Sequence, residues 1–307
     1  MTDKVQRFID SLQKDDEGHV LHTSFLESNL RCSAPLFERK PKKVRYVNNR
    51  DNWPGITIFT DKMLHLAPQV KSAIKVAWLI EPYDLLPQIY EIIPRLEEHY
   101  DLILTYEKSL IDKNPQKYKF HPCDTSGIEK HSHKIHKKTK LVSMIYSEKT
   151  WLFGHRLRHI IAKTLLPQMG YDKVDLFGRG TDHPLELKSK GTNDYMFQIA
   201  IENAQRENYF ADKIYDCFVT GTIPIYWGAP NVIDFFDERG ILMFETPEQL
   251  KEILFGLSEE KYYSMLDYVK INFDRVQKYL EPDDLLYDNI VKHLKERSAS
   301  ALSQENI

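Results

Sequence analysis

Short apolar runs alternate with amphipathic stretches in the first half of the chain. ITIFT (56–60), KVAWLI (75–80) and DLILTY (101–106) have the length of buried strands, and LLPQIYEIIPRLEEHY between two of them has the pattern of a helix. Such alternation is typical of βαβ units in a parallel sheet. The first 40 residues are polar and weakly patterned, so we expect them to be peripheral.

The alternation resumes after a polar, basic stretch, HPCDTSGIEKHSHKIHKKTK, which we interpret as a linker between two domains. We therefore expect an N-terminal α/β domain over residues 1–139, a second doubly wound domain over 140–280, and a C-terminal helix and tail over 281–307. The predicted elements of the second domain are strands in LVSMIYS, VDLFG, MFQIAIE, IPIYWG and ILMFE, with helices through GHRLRHIIAKTLLPQM and ADKIYDCFVTG.

Cap and turn residues predict where some elements begin and end. The sequence Thr246-Pro247-Glu248-Gln249 has the pattern of a capping box with a first-turn proline, so a helix should begin there. Gly221 should end the preceding helix in the left-handed conformation. Further helices are predicted from Ser258 to about Tyr279 and from Pro282 to Lys295, with a frayed tail beyond.

Length and composition narrow the class of protein. The chain has 307 residues, of which 42% are hydrophobic, and this suits two folded domains. The net charge is only −3, so no global field favours nucleic acid or an anionic membrane. The basic runs KPKKVR and HKIHKK lack interleaved aromatic residues, and we interpret them as solvated surface. The sequence does not indicate an oligomeric state.

The expected location is the cytoplasm. No apolar run approaches the length of about 20 residues that a membrane span requires, and the N-terminus lacks the apolar core of a signal peptide. Cys32, Cys123 and Cys217 are odd in number and widely spaced, which favours a reducing compartment over a disulfide framework.

Carboxylates follow three successive strands of the first domain, at Asp61, Glu81 and Glu107. Ligands of open parallel sheets bind beyond the carboxyl ends of the strands, so these side chains are candidates for acid–base chemistry. The alternative is that acids are common in loops and that Glu81-Pro82 simply opens a helix, where negative charge suits the dipole. Spacing alone leaves both interpretations open.

The second domain presents cations at the corresponding edge. Arg156, Arg158 and Lys213 fall in the first turns of predicted helices, where a cation opposes the helix dipole unless an anion such as phosphate binds beside it. A solvated surface lysine is the alternative for Lys213. No metal is predicted, because the chain has no Asp-x-Asp sequence and the histidines of HSHKIHKK lack carboxylate or cysteine partners.

The run IAIENAQRENYFADKIYDCFVTGTIPIYWG (199–228) resembles the signature of the family-10 α-1,3-fucosyltransferases. That signature reads approximately Phe-Glu-Asn-Ser, then Asp-Tyr-x-Thr-Glu-Lys, a helix, and Gly-x-x-Pro-x-x-x-Gly. KLVSMIYS, GHRLRHIIAKTL and VDLFGRG are similar to the segments that open the family's donor domain, and AWLIEP with LILTYEKS to its acceptor domain. This chain departs from the signature at Ala204, Asn208, Ala211 and Asp212.

The resemblance implies an α/β fold of GT-B type, in which two Rossmann-like doubly wound domains face a central cleft. It also implies a GDP-fucose donor, a glycan acceptor, anomeric inversion, and no bound cofactor or metal. Glu81 would be the general base, with Asp84 and Asp61 as fallbacks. By motif position, Glu202, Asn203, Tyr209, Asp212 and Lys213 would line the donor site and Arg158 would meet the diphosphate. The expected donor site also includes Arg156 and Gly178.

Two other functions fit the same residues. A GT-B transferase that uses a different sugar nucleotide would need the same cations, and Asp212 is one methylene shorter than the glutamate of the family signature. A non-catalytic protein that binds carbohydrate or nucleotide sugars would retain the cations and lack the base. Donor screening separates the first alternative, and mutation of Glu81 separates the second.

Overall fold

The computed structural model describes residues 21–26, 41–47 and 55–305, which divide into two compact units. The first unit contains the described residues up to Cys123 together with those from Glu281 onwards. The second unit runs from Asp124 to Leu280. Both are α/β units built on a wholly parallel sheet, as the alternating sequence pattern predicts.

The sheet of the first unit has six strands in the order β2-β1-β3-β4-β5-β6. The apolar runs at 56–60, 75–80 and 101–106 supply β3, β4 and β5. The expectation that the first 40 residues are peripheral is wrong for residues 21–26, because β1 pairs with β2 on one side and β3 on the other. The strands are β1 Leu21–Leu26, β2 Val44–Val47, β3 Ile56–Thr60, β4 Ile74–Trp78, β5 Leu102–Thr105 and β6 Tyr118–Phe120.

The described residues of this unit form three helices: α1 Pro87–Leu96, α2 Lys108–Lys113 and, after the second unit, α9 Pro282–Glu305. The C-terminal segment is therefore part of the first unit, not a separate appendage, and α9 extends beyond its predicted end at Lys295. The helix belongs to the first unit because Leu286, Ile290 and Leu294 lie on one helical face and are buried against the sheet core.

The sheet of the second unit has five strands in the order β11-β10-β9-β7-β8. If these strands are numbered 1 to 5 along the chain and read from the β8 edge, the order is 2-1-3-4-5. This is a common order of doubly wound sheets, and its switch point lies between β7 and β9. The strands are β7 Lys140–Ile145, β8 Val174–Phe177, β9 Tyr195–Ile201, β10 Ile223–Trp227 and β11 Leu242–Met243. The helices are α3 Phe153–Ile160, α4 Leu166–Met169, α5 Asp212–Thr220, α6 Pro247–Phe255, α7 Glu259–Ser264 and α8 Leu266–Val276.

The structure differs from the predicted linker, because residues 124–139 belong to the second unit. Ser126 and Gly127 both donate hydrogen bonds to Asp216 of α5, over 2.8 and 2.7 Å. Lys138, from a run interpreted as solvated surface, is buried and donates to the oxygens of Thr220 and Thr222, each over 2.8 Å. Buried hydrogen-bonded contacts of this kind bind the segment to the sheet and place the unit boundary before it.

The helix start predicted at Thr246 and the helix end predicted at Gly221 are confirmed. Thr246 and Gln249 form the capping box of α6, and Gly221 ends α5 with a φ of 73°. The single helix expected from Ser258 to Tyr279 is broken at Met265 into α7 and α8. Among the helices described, none is both long enough and apolar enough to cross a membrane.

Candidate functional site

A glycine lets the helix after β7 approach the carboxyl end of β9. The Gly154 amide at the start of α3 donates to the Asn203 carbonyl over 3.1 Å. A β-carbon at Gly154 would lie only 1.8 Å from the Glu202 carbonyl oxygen, so no larger residue fits without moving the helix. The two elements that flank the switch point therefore meet at Glu202 and Asn203, where doubly wound sheets bind their ligands.

Arg158 connects these two elements. Its guanidinium is buried, and Nε donates to the Ile201 carbonyl over 3.0 Å while Nη2 donates to the same carbonyl and, over 2.9 Å, to Asn203 Oδ1. Three donor contacts thus hold the end of β9, and a guanidinium has five N–H groups. Arg158 supplies positive charge at the switch point in a side chain whose position is fixed by the protein itself.

Glu202 is buried at the centre of the site. Its Oε1 accepts a hydrogen bond from the Ala211 amide over 3.0 Å, and its Oε2 lies 3.4 Å from Lys213 Nζ. Burial raises the pKa of this carboxyl, and the Lys213 ammonium opposes that shift. Gly228 leaves room for the side chain, because a β-carbon there would lie 2.6 Å from Glu202 Cγ.

A chain of ion pairs continues from Lys213 along the start of α5. Lys213 Nζ lies 2.5 Å from Asp212 Oδ1, and Asp212 Oδ2 lies 2.5 Å from Lys188 Nζ, which also pairs with Asp216 over 2.8 Å. Burial alone would raise the Asp212 pKa, but Lys188 and Lys213 outweigh it and hold the pKa below its usual range. Opposite charges likewise raise the pKa of Lys213 against the effect of burial. Lys188, Asp212 and Lys213 are thus held in their charged forms, whereas burial raises the pKa of Asp216.

The remaining predicted donor-site residues are less closely grouped. Tyr209 is buried and close enough to Arg158 to interact with it electrostatically. Arg156 is exposed and donates to the carbonyls of Thr150 and Trp151 over 3.2 and 3.1 Å, so it supports the turn before α3 and does not join the ion pairs. Gly178 follows β8 with a φ of 104°.

A cavity of about 1060 Å³ lies between α3 and the end of β8. Its lining includes Tyr146, Glu148, His159 and Arg179, and the ion-paired residues at the start of α5 take no part in it. Gly178 adjoins this cavity, and a β-carbon there would lie 2.3 Å from the Tyr146 carbonyl oxygen. The predicted donor residues therefore fall on two sides of the β7 end.

Sequence reasoning missed three contributors to the cluster. His155 is buried, its Nδ1 accepts from the Leu152 amide over 3.2 Å, and burial together with the nearby cations lowers its pKa to about 4. Gly154 and Lys188 were not singled out either. Gly154 could have been noticed from the sequence, because it stands at the start of a predicted helix that carries cations. Lys188 could not, because the sequence around it has no recognisable pattern.

In the first unit the structure brings Asp61 and Glu81 together at the ends of β3 and β4. The buried Asp61 carboxylate accepts hydrogen bonds from the amides of Ile80 and Glu81, over 3.0 and 3.3 Å. Tyr90 donates to the Glu81 carbonyl over 2.6 Å, whereas no described residue donates to the Glu81 carboxylate. Glu107 instead accepts from Ser109 at the start of α2. Asp61 thus fixes the backbone of Glu81 and leaves its side chain available.

No described part of the chain gathers three His, Cys, Asp or Glu side chains into a possible metal site.

Residues 135–281 match the family model described as glycosyltransferase family 10 (fucosyltransferase), C-terminal part. The α-(1,3)-fucosyltransferase FucT of Helicobacter pylori is 29% identical over 102 residues, which are 33% of this chain and 18% of that protein. α-(1,3)-Fucosyltransferase B of Drosophila melanogaster is 33% identical over 120 residues, or 34% and 27% of the two chains. Human GDP-fucose protein O-fucosyltransferase 3 is 29% identical over 113 residues, or 31% and 24%. The matches thus span about a quarter or less of these relatives.

Solved structures resemble a larger share of the chain. A crystal structure of α1,3-fucosyltransferase with GDP covers 92% of this chain and 96% of its own, with a TM-score of 0.54 and 15% identity. An α,α-trehalose 6-phosphate synthase from Burkholderia multivorans covers 82% of this chain and 72% of its own, with a TM-score of 0.55 and 11% identity. At such low identity these likenesses show the fold alone, which is the α/β GT-B fold with two Rossmann-like domains.

Proposed function

We propose that this chain, whose residues 135–281 match the family-10 glycosyltransferase model, transfers fucose from GDP-fucose to a hydroxyl of a glycan acceptor with inversion. The observation that carries the proposal is the set of cations at the switch point of the second sheet. Arg158 and Lys213 are held there by the protein, beside the N-terminus of α5. Cations and helix N-termini together favour a phosphate group.

The donor site is proposed to use both fixed charge and backbone donors. Arg158 and Lys213 face the diphosphate, and an ammonium has three N–H groups, so the carboxylates of Asp212 and Glu202 do not exhaust Lys213. The cavity beside Gly178 is large enough for a nucleoside. The donor residues that stay in the proposal are Arg158, Arg156, Glu202, Asn203, Tyr209, Asp212, Lys213 and Gly178.

The proposed reaction is a single displacement. The acceptor oxygen forms a bond to the anomeric carbon while the bond from that carbon to the diphosphate oxygen breaks, and Glu81 accepts the hydroxyl proton. Attack from the face opposite the leaving group inverts the anomeric centre. The diphosphate gains negative charge as it leaves, so a single well-placed hydrogen-bond donor lowers the activation free energy by about 3 kcal/mol. A general base contributes about 10²–10⁴-fold.

Two observations support alternatives for the donor and the acceptor. Each Asp212 oxygen contacts a lysine, so the carboxylate is already engaged within the protein. If GDP-fucose needs this carboxylate to accept hydrogen bonds from its sugar hydroxyls, these contacts favour a different sugar nucleotide as donor. One of the relatives carries the name protein O-fucosyltransferase, so a protein hydroxyl is the second candidate for the acceptor. The cytoplasmic location also stays a proposal, which rests on the odd number and wide spacing of the three cysteines.

Donor binding and the role of Glu81 are tested separately. Calorimetry should show GDP and GDP-fucose binding more tightly than UDP-sugars, and a reversed preference of about tenfold, or 1.4 kcal/mol, would reject fucose transfer from GDP-fucose. Glu81→Gln should lower transfer by at least about a hundredfold and leave GDP affinity unchanged. Glu107→Gln is the matched control, because that carboxylate follows β5 at the same sheet edge and accepts a hydrogen bond from the Ser109 hydroxyl. Near-normal transfer by Glu81→Gln would move the role to Asp61 or Asp84.

A further inference from the structure

Lys188 lies in a short 3₁₀ turn before β9 and pairs with two carboxylates of α5. Its Nζ is 2.5 Å from Asp212 Oδ2 and 2.8 Å from Asp216 Oδ2. The second oxygen of Asp216 accepts from Ser126 and Gly127, so both oxygens of this carboxylate have donors. A β-carbon at Gly127 would lie 2.8 Å from Lys188 Nζ, so the ammonium is packed against backbone that has no room for a side chain. The position of Lys188 is therefore fixed on several sides.

Asp212 transmits that position to Lys213. One of its oxygens contacts Lys188 and the other contacts Lys213, each over 2.5 Å. The Lys213 ammonium is then 3.4 Å from Glu202 Oε2, and its side chain remains 21% exposed, so it is accessible to a ligand. The Asp212 carboxylate is short enough to bridge the two lysines from the first turn of α5.

We propose that Lys188 is a positioning residue, which orients Asp212 so that Asp212 holds the Lys213 ammonium beside Glu202 for an incoming nucleoside diphosphate. The inference rests on the proposed function, since the ligand is the one proposed there. It assigns Asp212 to the protein's own ion-pair chain, which makes the carboxylate a link between two lysines instead of an acceptor for sugar hydroxyls.

The charge of the cluster shows why Lys188 should affect anion binding. The three carboxylates are Glu202, Asp212 and Asp216, and the three cations are Arg158, Lys188 and Lys213, so the formal sum is zero. Without Lys188 the sum is −1, and Asp212 would interact with Lys213 alone. A diphosphate would then meet a net negative site and a lysine drawn toward its neighbouring carboxylate.

The test compares Lys188→Met with Lys190→Met, a matched control in the same turn whose exposed ammonium pairs with the exposed Glu186. GDP affinity should fall at least about tenfold in Lys188→Met and stay within about twofold in Lys190→Met. Lys188→Gln keeps hydrogen-bond donors for the carboxylates and replaces Lys188→Met if that variant does not fold. Equal affinity in both folded variants and the wild type would overturn the proposal.

A double-mutant cycle separates positioning from direct binding. If Lys188 acts through Asp212, Lys188→Met should change GDP affinity by less than about threefold when Asp212 is already Asn, because interacting residues are not additive. An undiminished effect in that background would mean that Lys188 contacts the ligand directly, which would overturn the positioning role. Turnover and KM for the acceptor are measured in parallel, and only turnover is expected to fall.

A ligand-free measurement keeps the inference distinct from the proposed function. The ¹³Cε resonance of Lys213 in lysine-labelled protein, assigned with Lys213→Arg, should shift in Lys188→Met and not in Lys190→Met. A wild-type protein that binds no GDP would reject the proposed function, while this shift would still support the link from Lys188 to Lys213. An unchanged Lys213 resonance in Lys188→Met would refute the link whatever nucleotide binds.

Discussion

Replacing Arg158 with Met should destabilise the second unit as well as impair donor binding. The methionine keeps most of the apolar stem and removes every N–H donor. Three hydrogen bonds are lost, two to the Ile201 carbonyl and one to Asn203 Oδ1. The buried Glu202 also loses one of the cations that oppose the rise in its pKa.

The magnitude follows from burial. Removing one partner from a buried, hydrogen-bonded charge cluster costs about 3–5 kcal/mol in the free energy of unfolding. For a unit of this size each kcal/mol lowers the melting temperature by about 2–4 °C, so the expected loss is about 6–20 °C. Arg156→Met is the matched control on the same helix, because Arg156 is exposed and its loss should cost no more than about 0.5 kcal/mol.

Differential scanning calorimetry of the intact protein measures both variants, and GDP titration follows at a temperature where each is folded. Arg158→Met should melt well below Arg156→Met and bind GDP more weakly. If the two variants melt together, Arg158 does not hold the end of β9 in the way its contacts indicate. If Arg156→Met alone loses GDP affinity, the phosphate contact has been assigned to the wrong arginine.

Three further predictions test other parts of the structure. Gly154→Ala should cost at least about 1–3 kcal/mol and weaken GDP binding, since its β-carbon would collide with the end of β9; Gly256→Ala, whose nearest contact is 3.3 Å, is the control, and equal melting temperatures would contradict the close approach. Burial lowers the pKa of His121 to about 3, so between about pH 6.5 and that value the unfolded chain binds a proton that the folded chain does not, and stability decreases as the pH is lowered. Between pH 7 and pH 5, the free energy of unfolding measured in urea should therefore fall by about 2 kcal/mol less in His121→Gln than in the wild type. Equal decreases in both proteins would refute this origin. Asp212→Glu should weaken GDP-fucose binding because the longer side chain cannot keep both lysine contacts in place, whereas tighter binding would identify residue 212 as a sugar ligand.

The parallel sheets could be predicted from sequence because their strands are buried on both faces. All residues of β3, β9 and β10 are buried, and such strands appear as continuous apolar runs bounded by polar residues. Residues 21–26, LHTSFL, have no comparable run, and their place in the sheet comes from pairing with β2 and β3. Non-local pairing of this kind leaves little trace in local sequence.

The unit boundary could not be predicted for a related reason. Residues 124–139 are polar and basic, as linkers often are, but several of their polar groups satisfy buried partners. Ser126 and Gly127 satisfy Asp216, and Lys138 donates to the Thr220 carbonyl at the end of α5. Composition records only that these residues are polar, whereas the structure shows that their hydrogen bonds are made inside the second unit.

The candidate site was predictable as a list of residues and not as a network. A cation in the first turn of a helix is unfavourable unless an anion lies nearby, and this argument singled out Arg156, Arg158 and Lys213. The first-turn placement is wrong for Arg158, because α3 begins at Phe153 and Arg158 lies in its last turn. The structure shows that the protein itself supplies negative charge beside the lysine, because the Glu202 and Asp212 carboxylates pair with Lys213. The site is therefore preorganised before any ligand arrives, since the cations are held by carboxylates instead of by solvent. A diphosphate that binds there has to compete with those carboxylates for the cations. Its affinity therefore depends on the balance of charge along the whole chain of ion pairs, and Lys188 at the far end of that chain is expected to matter as well as the residues nearest the ligand.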